Sequence, residues 1–83
     1  MYYVYGLYSP GYKKIYVGFT ADLEERIFLH NNPISKGYTS RYKPWILIYS
    51  EEQPDKKSAM IRETQLKSAR GRLFIKTFIP IPR

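Results

Sequence analysis

A small α/β domain, a three-stranded antiparallel sheet flanked by two or three helices, is the fold class this sequence predicts. Three observations carry that expectation. The first 20 residues alternate aromatic and β-branched side chains around a Ser9-Pro10-Gly11 turn, the pattern of a β-hairpin. An Asp22/Glu25 capping pattern then opens an amphipathic segment, and an apolar run from Trp45 to Ser50 is followed by a second segment of helical period after Pro54. Strands and helices in that order around one layer of sheet make a small α/β domain.

The elements follow in turn. Met1 to Tyr8 is the first strand, with Tyr3, Tyr5 and Leu7 on one face. Ile15 to Thr20 is the second, with Lys13 and Lys14 at its start and Tyr16, Gly18 and Thr20 sharing a face. Gly18 inside a strand indicates a close backbone approach or a bulge. A helix starts at Leu23 and runs to His30 or Asn31, with Leu23, Ile27 and His30 as its packing stripe and Arg26 on the border of that stripe. Asn31, Asn32 and Pro33 stop it, and a loop rich in Gly, Ser, Tyr and Lys runs to Pro44. Trp45 to Ser50 is apolar enough to be a central strand, with Trp45 in the core. A helix from Lys56 to Ala69 spreads Ala59, Met60, Leu66 and Ala69 over one side, Gly71 breaks or caps it, and Leu73 to Ile79 forms a short last helix before Pro80.

The 83 residues make one domain, residues 1–83, too short for a Rossmann or barrel enzyme. With no cysteine and one histidine, a disulfide scaffold and a structural zinc site are excluded. The longest apolar run, Trp45 to Tyr49, falls far short of the roughly 20 residues that span a bilayer, so a soluble, cytoplasmic protein is expected. Fourteen Lys and Arg against seven Asp and Glu give a net charge of +7, and 17% of the residues are aromatic. A basic, aromatic-rich surface fits a polyanion, nucleic acid first; excess charge kept for solubility alone is the plainer reading. From Lys56 onward there are eight bases, ending at Arg83, and Glu63 is the lone acid. Glu63 also falls within the packing arc of its helix, where a carboxylate must be paired, bind something or reach the edge of the core.

Val4-Tyr5 with Tyr8 beyond, Ile15-Tyr16-Val17-Gly18, then Asp22-Leu23 and Arg26, in that order, resemble the core motif of the GIY-YIG nucleases. That family includes the incision subunit of bacterial excision repair, homing endonucleases and some restriction enzymes. The resemblance extends through Trp45 and the Ala59 to Lys67 segment, and it is nearest to the small standalone branch. Three departures are visible. Tyr3-Val4-Tyr5 lacks the glycine of the first half, Phe19 stands where the repair branch has lysine, and the Asn that some branches carry after the glutamate has no counterpart.

Residue by residue, the resemblance implies that Tyr5 and Tyr16 are the two motif tyrosines, Arg26 the catalytic arginine, His30 a histidine used in some branches, and Glu63 the metal-binding glutamate. It implies a Mg²⁺- or Mn²⁺-dependent DNA endonuclease leaving 5′-phosphate and 3′-hydroxyl ends, with DNA repair among the family's roles. The residue types suit that chemistry. One carboxylate can hold a Mg²⁺ that keeps most of its waters, and a guanidinium offers two directed donors to phosphoryl oxygens. A phenol beside a cation can act as general base, so Tyr5 and Tyr16 are candidates, with His30 as their rival. Plainer roles compete: strand tyrosines, a surface Arg26 paired with Asp22, a helix-end His30, and an i, i+4 pair of Glu63 with Lys67. Lys67, Arg70 and Arg72 are candidates to flank a phosphate track. A nucleic-acid-binding module without catalysis is the alternative reading. In so small a chain, specificity is expected to come from DNA shape, dimerisation or a partner protein, and RNA stays open beside DNA.

Overall fold

The computed structural model describes residues 1–32, 37 and 39–80. Pro33, expected to stop the first helix, and Arg83 lie outside the described residues. Strands β1 (Tyr2–Ser9), β2 (Lys14–Thr20) and β3 (Ile46–Gln53) form one antiparallel sheet in the order β2-β1-β3. Helix α1 (Leu23–Asn31) follows β2, a 3-10 turn (Thr39–Arg41) precedes β3, and α2 (Lys56–Lys67) and α3 (Ala69–Lys76) close the described chain.

Pleat alternation divides the core in two. On one face Val4, Ile15 and Val17 pack against Ala59, Leu66 and Ile75 of α2 and α3. On the other, Tyr5, Leu7 and Trp45 are buried, with Tyr16 and the Leu23 and Ile27 side chains of α1 against them. Each fully buried aliphatic side chain contributes about 1.5–3 kcal/mol. The hairpin register pairs Tyr5 with Gly18 and Leu7 with Tyr16, which confirms the shared faces expected from alternation.

The central strand is β1, not the apolar third one. Val4, Tyr5, Gly6 and Leu7 are all buried, because both faces of β1 are covered and both its edges are paired. Strand β3 starts one residue after Trp45 and lies at the edge, where Ile46 and Leu47 remain 38% and 41% exposed. Apolar content was a poor guide here because a tyrosine ring can be buried as fully as a leucine when its hydroxyl has a partner. The irregularity in the sheet falls at Gly6/Leu7, between β1 and β3.

Asp22 caps α1, accepting the Glu25 N–H at 3.1 Å, as the capping pattern predicts. The boundary between the last two helices differs from expectation. Ser68 ends α2 with its N–H on the Gln65 carbonyl and starts α3 by accepting the Gly71 N–H at 3.1 Å. Gly71 therefore sits inside the first turn of α3. A Cβ there would lie 2.4 Å from the Gln65 carbonyl oxygen and the Leu66 Cα, so glycine is what lets α3 fold back tightly on α2. Met60 and Ala69, expected in the packing arc, are exposed, since the early turn at Ser68 narrows the buried stripe of α2 to Ala59 and Leu66. On the outer side of that helix, the Arg62 Nε–H donates to both Glu51 oxygens, at 3.0 and 3.1 Å, and ties α2 to β3.

Candidate functional site

The Tyr5 ring lies over its own cross-strand partner. A Cβ on Gly18 would come within 2.6 Å of the Tyr5 hydroxyl oxygen and 3.1 Å of the Tyr16 ring, so the glycine of β2 makes room for both phenols. This is the close approach that a glycine in mid-strand signals, made by a side chain. The Tyr5 hydroxyl then reaches across β2 to α1 and lies 3.0 Å from Nε2 of His30. The ring centroids of Tyr5 and Tyr16 are 6.4 Å apart, and that of His30 is 5.9 Å from Tyr5 and 5.0 Å from Tyr16.

Helix α1 supplies the cation as well. Arg26, one turn before His30, sets its guanidinium against the Tyr5 and Tyr16 phenols, and hydrogen bonding to Tyr5 is the main reason its pKa is raised. Asp22 is occupied as the helix cap. Burial pushes the Tyr5 hydroxyl up to about 12 against the opposing pull of the Arg26 hydrogen bond. The His30 pKa is lowered, first by burial and then by the Arg26 charge, which favours the neutral imidazole.

Four of the five sequence-predicted residues thus converge: Tyr5, Tyr16, Arg26 and His30. The fifth, Glu63, reaches them electrostatically. It is half-buried on α2, and its charge is the weakest of the influences that raise Tyr5. Its near neighbour is the Lys67 ammonium, 3.6 Å from Oε2. Among the described residues no group of three His, Cys, Asp or Glu side chains could by itself enclose a metal ion. Of the expected phosphate contacts, Lys67 therefore faces Glu63, while Arg70 and Arg72 are exposed on α3.

Sequence reasoning missed the residues that hold His30. Its Nδ1 is 3.0 Å from the Thr39 hydroxyl, and the Trp45 indole N–H fixes the Thr39 carbonyl at 2.7 Å. Asn31, read only as a helix stop, grips the Trp45 backbone with both ends of its amide, at 3.0 and 2.6 Å. These partners are 6 to 14 residues apart in sequence, so no local spacing signals them.

A family model described as the GIY-YIG catalytic domain matches residues 1–76. The chain belongs to the GIY-YIG family. Curated relatives are similar over part of their length: the UPF0213 protein of Staphylococcus haemolyticus is 37% identical over 54 residues, 65% of this chain and 66% of that one. The UPF0213 protein of Clostridium perfringens is 39% identical over 55 residues, 66% of this chain and 59% of its own. The chain thus spans just under two thirds of the length of the relatives it matches. No solved structure matches it. The GIY-YIG assignment agrees with the antiparallel sheet and three helices described above, and no helix among the described residues is long and apolar enough to cross a membrane.

Proposed function

We propose that this protein is a divalent-metal-dependent endonuclease that hydrolyses DNA phosphodiester bonds to 5′-phosphate and 3′-hydroxyl ends. The observation that carries the reading is the convergence of two phenols, a guanidinium and an imidazole on the α1 face of the sheet, in a chain of the GIY-YIG family.

A lone carboxylate fits Mg²⁺, which keeps several waters and is commonly held by one or two carboxylates together with substrate phosphate. Glu63 is the residue that would hold it, half-buried on α2 and near enough for its charge to act on Tyr5. When bound, the metal supplies charge neutralisation at the scissile phosphate.

The remaining steps belong to the chain's own side chains. Arg26 offers two parallel N–H donors to the non-bridging phosphoryl oxygens, where negative charge accumulates in the transition state. Exposure decides among the candidate bases. Tyr5 is 0% exposed and His30 6%, and both ring nitrogens of His30 already face partners, Tyr5 and Thr39. Tyr16 is the half-exposed phenol, so it is the group that meets the attacking water and takes its proton. The role requires the phenolate form, and Arg26 lies on the flank of this ring. Tyr5 and His30 act as positioning residues: their hydrogen bond locks α1 to the hairpin and so fixes Arg26 against Tyr16.

The test is cleavage of labelled duplex, single-stranded, flap and branched DNA with Mg²⁺, Mn²⁺ or EDTA. Glu63→Ala should abolish metal-dependent cleavage, a loss of about 10²-fold or more, while the fold and most DNA affinity persist. Equal activity in wild type and Glu63→Ala would overturn the assignment. Binding without cleavage on every substrate would favour a nucleic-acid-binding module, the reading that the +7 charge supports.

A further inference from the structure

Four bases from opposite ends of the chain meet in one groove. Lys13 and Lys14, in the turn and first residue of β2, and Arg72 and Lys76, four residues apart on α3, line it over the buried Ile15. None of the four forms an ion pair with a carboxylate among the described residues. Two features set these lysines apart from freely solvated ones. The Lys14 ammonium sits 5.1 Å over the Tyr42 ring, which fixes a side chain that would otherwise be free in solvent. Lys13 has φ 54°, in the left-handed region that favours glycine or asparagine, although glycine is used nearby at Gly11. A lysine kept in a conformation that disfavours it is a backbone outlier that points to use of its side chain.

We propose that this groove binds the nucleic-acid phosphate backbone through Lys13, Lys14, Arg72 and Lys76, at the end of the sheet where β2 begins beside α3. The inference rests on the nucleic-acid reading above but not on cleavage. Four cations with no carboxylate partner among the described residues repel one another, and the ligand that relieves this is a row of phosphates. Position favours the same ligand. Strand β2 is an edge strand, and Lys14 precedes Tyr16 by two residues on the same face, about 7 Å along the strand. Arg72 thereby keeps the role expected from sequence, with Lys13, Lys14 and Lys76 as partners in place of Lys67 and Arg70.

The experiment compares two doubly neutralised proteins, Lys13→Gly/Lys76→Gln in the groove and Lys56→Gln/Lys57→Gln at the start of α2. Affinity for a fluorescent DNA duplex is measured in EDTA between about 50 and 200 mM salt, the range in which phosphate contacts dominate. The groove variant should lose about 0.9 from the log–log salt slope per contact, and about eightfold in affinity per contact at 0.1 M salt; the α2 variant should lose little of either. Thermal melting gives a second, opposite sign: glycine suits the Lys13 backbone, so the groove variant should melt no lower than wild type while binding more weakly. Equal losses in the two variants, or none in the groove variant, would overturn the proposal. Weakened binding by a protein that cleaves no substrate would leave the groove standing and remove the endonuclease reading; intact groove-variant binding in an active nuclease would do the reverse.

Discussion

Replacing Gly18 with alanine tests the central piece of site geometry. The added Cβ would lie 2.6 Å from the Tyr5 hydroxyl oxygen and 2.8 Å from its Cζ, whereas ordinary contact begins at 3.4 Å, so the ring must retreat by about 0.8 Å. Tyr5 is fully buried, and a retreat strains its 3.0 Å contact with His30. Overpacking of this kind costs about 1–3 kcal/mol, and a weakened hydrogen bond up to about 1 more. The lower unfolded-state entropy of alanine offsets about 0.4–1 kcal/mol. A net loss of about 1–3 kcal/mol should lower the melting temperature by about 4–8 °C per kcal/mol in a domain of this size. Urea melts of Gly18→Ala, Tyr5→Phe and the double variant make the cycle. Tyr5→Phe deletes the atom in closest contact, so the double variant should be more stable than additivity requires, by about 0.5 kcal/mol or more. A Gly18→Ala protein within about 0.3 kcal/mol of wild type, or strict additivity, would refute the close approach.

Two further predictions concern the cation and the imidazole. Arg26→Ala removes the second cause of the lowered His30 pKa, so the His30 titration followed by NMR should move up toward its ordinary value while burial still holds it below; an unmoved titration would separate the two groups. Arg26→Lys should not restore cleavage, because an ammonium lacks the paired, planar donors. Because His30 binds its proton less tightly folded than unfolded, stability should be flat above about pH 6.5 and fall as pH drops below it toward the folded value. Comparison of urea midpoints with His30→Gln isolates that dependence, and a His30-linked gain in stability toward acid would contradict it.

The elements were legible where a local signal coincides with the global fold. The Asp22 cap, the α1 stripe of Leu23, Ile27 and His30, and the alternation that sets Tyr5 with Leu7 and Tyr16 with Gly18 all depend on spacings within a few residues. Sheet order was not legible from apolar content, because the rank of a strand depends on which neighbours pair with it. A run such as Trp45 to Ser50 reads the same at an edge as at the centre. Gly71 misled for a related reason: its signal is proximity to Gln65 and Leu66 across a helix turn, not a cap of its own, and Ser68 does the capping. At the site, the ordered motif led to Tyr5, Tyr16, Arg26 and His30. The Thr39, Asn31 and Trp45 contacts that orient His30 are fixed by the path of the chain after α1. The groove of Lys13 and Lys76 joins opposite ends of the sequence, and composition shows only that such bases exist.

Exposure grades the site from anchor to working edge, and that gradient makes the two tyrosines separable. Tyr5 and His30 sit within the core, Tyr16 is half-covered, and Arg26 is exposed on α1. Tyr5→Phe would leave the buried Nε2 of His30 without its partner, a cost of about 1–3 kcal/mol that appears in stability. Its effect on cleavage should come through a loosened α1 and be eased by conditions that stabilise the fold. Tyr16→Phe removes a half-exposed hydroxyl at a cost of about 0.5 kcal/mol or less, yet takes away the proposed general base, worth about 10²–10⁴-fold in rate. The informative measurement sets melting temperature against single-turnover cleavage for both variants at saturating DNA. A stable, inactive Tyr16→Phe beside a destabilised, partly active Tyr5→Phe supports the division of labour. The opposite pattern would make Tyr5 the base, and the buried hydroxyl would then need an opening of α1 to reach water.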